Sequence, residues 1–187
     1  MQKGTKILIA VIAIIAVLAI AVISSYNGLV TAKSTVDEQY SNIQTNLQRR
    51  SDLIPNLVNT VKGYTTHESE VLQNISDART KLATASNAKD AAEADSELSS
   101  AVSRLLVVVE NYPDLKADTQ FTALTDELSG SENRISVART RYNEAAKAYN
   151  VKIKKFPAVI AAKLFGFDAV EYFEAAEGAQ NVPQVQF

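Results

Sequence analysis

The chain has no cysteine, which excludes disulfides, thiolate metal sites, thiol nucleophiles and lipidation through an N-terminal cysteine. Its single histidine, His67, opens a His-Glu pair, but the fifth position of the zinc motif H-E-x-x-H is Val71 rather than a second histidine. One histidine and no cysteine leave a structural zinc site short of donors. A Ser-His-Asp arrangement would need His67, yet neither a nucleophile-elbow pattern nor a glycine-rich turn accompanies it. The six glycines stand singly, so no loop resembles a phosphate cradle. The net charge of -2 is spread along the chain, and no basic field argues for nucleic acid. The expectation is a protein that is no enzyme, with no catalytic residue, metal, cofactor or small-molecule substrate.

Helix breakers are scarce as well. Four prolines and six glycines accompany abundant Ala, Leu, Val, Glu, Lys and Gln, which favours helix over strand. The most conspicuous stretch is Ile7 to Ile23, ILIAVIAIIAVLAIAVI, with no charged, polar or helix-breaking residue. As helix it spans roughly 26 Å, and Gly4 to Ser24 about 30 Å, the thickness of a bilayer core. Lys3, Lys6 and Ala19-Ile20-Ala21 would also suit a cleaved signal peptide, but the run exceeds the roughly 15 residues of a signal's apolar region. An uncleaved, single-pass anchor is therefore expected at a cell membrane. The lysines before the run place the N-terminus in the cytoplasm and the body outside.

Apolar residues then recur at helical spacing. Val36, Tyr40, Ile43, Leu47, Ile54, Leu57 and Val61 form one seam, interrupted at Arg50, with a kink expected near Pro55 and a stop at Gly63. Thr65 to Glu68 has the form of a capping box for a second helix with Val71, Ile75, Ala78 and Leu82 inward. A third helix, 88–111, carries Ala91, Ala94, Leu98, Ala101, Leu105, Val108 and Tyr112, and closes at Tyr112-Pro113. The fourth runs from Phe121 through Leu128, Ile135, Tyr142, Ala145, Tyr149 and Lys152 to Phe156, ended by Pro157. Asp168 and Glu171 suggest another capping box for a short helix ending near Ala176. The expected fold is all-α: one N-terminal transmembrane helix, then an elongated up-down antiparallel four-helix bundle of coiled-coil-like seams with a short C-terminal helix. In domain terms these are an anchor (1–25), a helical bundle (26–176) and an extended tail (177–187).

Polar residues in or beside the seams are the candidate structural network: Arg50, Glu132, Asn133, Arg139 and Asn143. With Gly63 level with Thr119 on antiparallel helices, Arg50 falls near Ser131 and pairs with Glu132, fixing register; the alternative is that Arg50 snorkels to the surface. A second candidate is the basic cluster Lys152, Lys154 and Lys155, followed by an apolar stretch containing Phe165 and Phe167. If the fourth helix returns to the membrane, these residues can lie in the lipid interface; packing against the bundle base or against a neighbouring subunit are the alternatives.

Specific motifs narrow the family. Tyr26-Asn27-Gly28-Leu29-Val30, Arg49-Arg50-Ser51-Asp52-Leu53-Ile54-Pro55-Asn56-Leu57-Val58, Glu110-Asn111-Tyr112-Pro113-Asp114-Leu115-Lys116, Glu132-Asn133-Arg134-Ile135, Phe156-Pro157 and Gly166-Phe167 resemble LemA family proteins. The resemblance covers Tyr26 to Phe187. It implies a bacterial, single-pass, mostly four-helix protein without established catalytic residues, and a membrane-bound metalloprotease as a partner to consider. Membrane lipid and further copies of the chain are the other expected partners. The functional expectation is a self-associating membrane scaffold; the alternative is an adaptor or regulator of such a protease.

Overall fold

The computed structural model describes residues 3–65 and 68–173. His67 and the 177–187 tail lie outside them. Six helices follow in order: α1 (Lys3–Lys62), α2 (Ser69–Thr84), α3 (Ala88–Val109), α4 (Pro113–Lys116), α5 (Thr119–Lys152) and α6 (Ala158–Phe165). No strand occurs among the described residues, and the class is all-α.

α1 is a single helix of 60 residues that continues through Pro55. Among the described residues it is the one helix long and apolar enough to cross a membrane. Ile7, Leu8, Ile12, Ile15, Leu18 and Ile20 are all exposed. An apolar surface of this extent is unstable in water, and the length matches a bilayer core, which suits the stretch to anchoring in a membrane.

The chain forms two compact units. The first combines α1 up to Gln39 with Asn143–Val170. Leu29 and Val36 supply its α1 core face, and Tyr149, Ile153, Ala158 and Ala161 are buried from the other segment. Polar side chains clasp the backbone here. The Tyr149 hydroxyl donates to the Asp168 carbonyl at 2.9 Å. The Asn150 amide donates to the Val170 carbonyl at 2.8 Å and accepts from the Val170 N–H at 2.9 Å. These bonds hold the extended chain after α6, which would otherwise carry unsatisfied amides. Gly166, at φ 71°, ends α6 in the left-handed conformation, and the Phe167 N–H closes back on the Ala162 carbonyl at 2.9 Å.

The second unit combines Tyr40–Tyr142 with the described chain from Glu171 onward. Its fully buried side chains include Ile43, Ile54, Leu57, Ile75, Leu98 and Ile135. Each such side chain contributes about 1.5–3 kcal/mol by leaving water. α2 and α3 pack side by side. α1 and α5 run antiparallel in this unit, as three pairs require: Tyr64 with Asp118, Arg50 with Glu132 and Tyr40 with Tyr142. Tyr64 and Asp118 lie just beyond α1 and just before α5, and between successive pairs the steps are 14 and then 10 residues along both segments, in opposite directions. Asp118 starts α5 by accepting the Phe121 N–H at 2.8 Å, and Asn87 starts α3 by accepting the Asp90 N–H at 2.8 Å.

Several sequence expectations are corrected. Among the described residues no capping box opens α2: Thr65 donates to the Val61 carbonyl, Glu68 makes no capping bond, and its carboxylate accepts the Tyr112 hydroxyl. Leu72 rather than Val71 is buried on α2, Val109 rather than Val108 on α3, and Ala146 rather than Ala145 on α5. Adjacent apolar residues leave the phase of a short seam ambiguous by one position. α5 stops at Lys152, four residues before Phe156, which is 79% exposed and belongs to no seam. The short C-terminal helix is α6, over the alanine-rich stretch before Gly166, whereas 167–173 is not helical.

Candidate functional site

The second unit contains a buried ion network. Arg50 interrupts the α1 seam and is only 4% exposed. It does not snorkel. Its Nη1 lies 2.6 Å from an Asp95 carboxylate oxygen and 2.6 Å from a Glu132 carboxylate oxygen. Arg139, from α5, pairs with the other oxygen of Asp95. Three helices therefore converge on one carboxylate that has no solvent exposure. Ser99 donates to the Asp95 carbonyl, one turn along α3, and its hydroxyl also lies 3.4 Å from Glu132. The Arg139 guanidinium sits 4.8 Å from the centre of the Phe173 ring, and the Tyr142 hydroxyl donates to the Glu171 carbonyl. These contacts fasten the C-terminal chain onto α5.

The network's electrostatics are balanced but strained by burial. Two guanidinium groups face two carboxylates. Burial pushes the Asp95 carboxyl above its ordinary value, Arg50 and Arg139 oppose that shift, and Glu132 adds to it. The Nε atoms of Arg50 and Arg139 are buried without hydrogen-bond partners among the described residues. Geometry of this type confers specificity of packing more than net stability, because desolvation offsets much of the Coulomb attraction.

The sequence-derived set overlaps this network in part. The structure brings Arg50, Glu132 and Arg139 together. Asn133 is exposed and lines, with Arg50, Ser99 and Glu132, a surface groove of about 330 Å³. Asn143 is half-buried one turn beyond Arg139. Asp95 is not in that set, although the sequence carries its signal: it lies between Ala94 and Leu98 in the α3 seam, where an acid needs a cationic partner.

The basic candidates of the first unit divide differently. Lys152 is half-buried and donates to the Gly28 carbonyl at 2.7 Å, so its charge is engaged against α1. Lys154 and Lys155 are exposed. Phe165 and Phe167 both meet Tyr26 edge-on, with ring centres at 4.8 and 5.7 Å. Phe167 is half-buried, whereas Phe165 remains about half exposed. Among the described residues, no group of three or more His, Cys, Asp or Glu is placed to hold a metal ion.

A chain that is helical without strands among its described residues, with one long apolar N-terminal helix suited to membrane anchoring and a small buried ion network, defines the class. Within that class, the model of the LemA family matches residues 39–187, and the chain belongs to that family. Magnetosome protein MamQ 2 of Paramagnetospirillum magneticum is 28% identical over 179 residues, covering 82% of this chain and 66% of that protein. Magnetosome protein MamQ of Magnetospirillum gryphiswaldense is 27% identical, covering 81% and 65%. Protein LemA of Metamycoplasma hominis is 29% identical over 152 residues, covering 81% of this chain and 69% of that protein. The chain thus spans about two thirds of the length of the relatives it matches.

Proposed function

We propose that this chain is a membrane-anchored helical scaffold whose role is positional rather than catalytic, and which associates with copies of itself. The observation that carries the reading is the continuity of α1. One helix includes both the exposed apolar stretch and a seam of buried residues. A buried network that joins α1, α3 and α5 adds a fixed register to that helix. Exposed Leu106 and Val107 on α3 and Val137 on α5 offer apolar ground for neighbouring copies. Relatives named for a magnetosome, rather than for a reaction, fit the same role. The two lysines before the anchor support, by the positive-inside bias, an N-terminus on the cytoplasmic side.

The test is the mass of the full-length protein in detergent, by light scattering with the detergent subtracted. A defined mass several times the 20.3 kDa chain is the expected result. A monomer overturns self-association and moves attention to the adaptor reading, in which a membrane-bound metalloprotease is the partner.

A further inference from the structure

α6 is built inside out for a helix on a water-soluble surface. Its small residues, Ala158, Ala161 and Ala162, face the protein and are buried. Its large apolar residues face outward: Ile160 is 47% exposed, Leu164 68% and Phe165 51%. The turn before it adds Phe156. Burial of alanines with display of Ile, Leu and Phe inverts the usual economy of a surface helix, whose largest apolar groups seek the core.

The place of this patch identifies what covers it. Phe165 and Phe167 pack on Tyr26, and Lys152 bonds the Gly28 carbonyl. Tyr26 and Gly28 follow the last residue of the apolar run, Ile23, by three and five positions. Along a helix axis that is roughly 5 to 8 Å beyond the run's end. The interfacial layer of a bilayer occupies about the same depth on each side of its hydrocarbon core. The segment 151–167 also contains four lysines and no acidic residue. Three of them, Lys154, Lys155 and Lys163, are exposed around the apolar patch. Large apolar side chains rimmed by lysines, at headgroup height, are the composition of a helix that lies in the interface plane.

We propose that α6 and the turn before it are a second membrane contact: Phe156, Ile160, Leu164 and Phe165 enter the lipid interface, and Lys154, Lys155 and Lys163 meet anionic headgroups. The occupant of the patch is lipid, not a second copy of the chain. This rests on the reading of α1 as a membrane anchor. Its consequence is orientational. A lone helix leaves the body free to tilt and spin, whereas a second contact at the same level restricts both motions.

The absence of cysteine makes the test direct. Single substitutions Val17→Cys, Phe156→Cys, Leu164→Cys and Asp126→Cys in the full-length protein are nitroxide-labelled and reconstituted into phosphatidylglycerol–phosphatidylcholine vesicles. Relaxation by oxygen is then compared with relaxation by a water-soluble nickel chelate. The expected result is preferential oxygen relaxation at 17, 156 and 164, and preferential nickel relaxation at 126. Nickel-dominated relaxation at both 156 and 164, with 17 still in lipid, overturns the second contact and leaves the anchor intact. Shielding of 156 and 164 from both agents shows protein covering the patch and overturns the proposal in favour of a subunit or partner interface. Water exposure at 17 overturns both readings. Labels at two sites guard against one substitution that merely disturbs α6.

Discussion

The two units of the molecule spend their polar and apolar groups in opposite ways. In the second, charge is turned inward: Arg50 and Asp95 are nearly or wholly removed from solvent, and three helices meet at one carboxylate. In the first, charge is turned outward and the buried polar side chains are neutral or bonded to backbone. Tyr149, Asn150 and Lys152 all reach main-chain groups rather than each other. The first unit also leaves Phe156 and Leu164 exposed. Each pattern suits a different task. Ion pairs of fixed geometry discriminate between helix registers, because a slip of one residue strands a buried charge. Main-chain bonds hold an irregular segment in place without burying a charge.

The largest effect that breaks this contrast is expected at Asp95. Asp95→Ala leaves Arg50 buried with only the half-exposed Glu132, and a loss of roughly 3 kcal/mol follows. Glu132→Ala removes the more exposed carboxylate and costs about 1 kcal/mol or less. Denaturant unfolding of both variants and their combination checks this: non-additive losses establish one coupled network, and simple additivity refutes it. In the first unit the corresponding variant is Asn150→Ala. It removes both bonds to Val170 and leaves two backbone groups without those partners. A loss of about 2 kcal/mol is expected, with faster hydrogen exchange concentrated in 167–173. Uniform exchange across the chain would instead mean that Asn150 serves the whole fold rather than the docked segment.

The same contrast explains what could be read in the sequence. The α1 seam was legible because Val36, Ile43, Leu47, Ile54, Leu57 and Val61 repeat at an unambiguous period, and all six are buried. Arg50 stood out because it breaks that period. Its α5 partner followed from aligning the ends of two antiparallel helices. Asp95 falls on the face of Ala91 and Leu98, which signals burial. Its partners do not follow from α3 alone, because which helices supply the cations is set only when α1 and α5 are placed beside it. The first unit was less legible for a different reason. The three-and-four spacing continues from Tyr149 through Lys152 to Phe156, yet the helix ends at Lys152 and turns follow over 153–157. Periodicity says which face a residue would occupy if helical, not whether the helix persists. Lys152 looked like a headgroup ligand for the same reason: nothing in its own neighbourhood announces the Gly28 carbonyl.

A smaller effect separates two carboxylates by pH. Burial raises Asp95 above its ordinary value of 3.8, despite its two arginines. The folded chain then retains a proton that the unfolded chain has released, so stability declines as pH rises from 3.8 through the folded value, and is flat above it. Asp118 behaves oppositely. The Phe121 N–H and the Tyr64 hydroxyl lower it, so its contribution is complete above its ordinary value and is lost as pH falls through the lower folded one. Unfolding free energy measured against pH should lose the first slope in Asp95→Asn and the second in Asp118→Asn. If Asp95→Asn leaves the profile above 3.8 unchanged, its carboxyl does not titrate there.

The smallest effect concerns the point where α5 ends against α1. A methyl group at Gly28 would stand 2.9 Å from the Lys152 ammonium and 3.2 Å from its last carbon. These are the far atoms of a flexible side chain, which can withdraw, so no backbone need move. Withdrawal forfeits the bond to the Gly28 carbonyl, worth about 1 kcal/mol. Alanine recovers a similar amount, because glycine in a helix interior is less favourable by about 1 kcal/mol. Gly28→Ala is therefore expected to change stability by only a few tenths of a kcal/mol. A bulkier replacement sharpens the point: Gly28→Leu keeps the gain in helix propensity but displaces Lys152 entirely. If Gly28→Ala already costs several kcal/mol, the approach is rigid, and the lysine holds α5 to α1 as firmly as the ion network holds its own three helices.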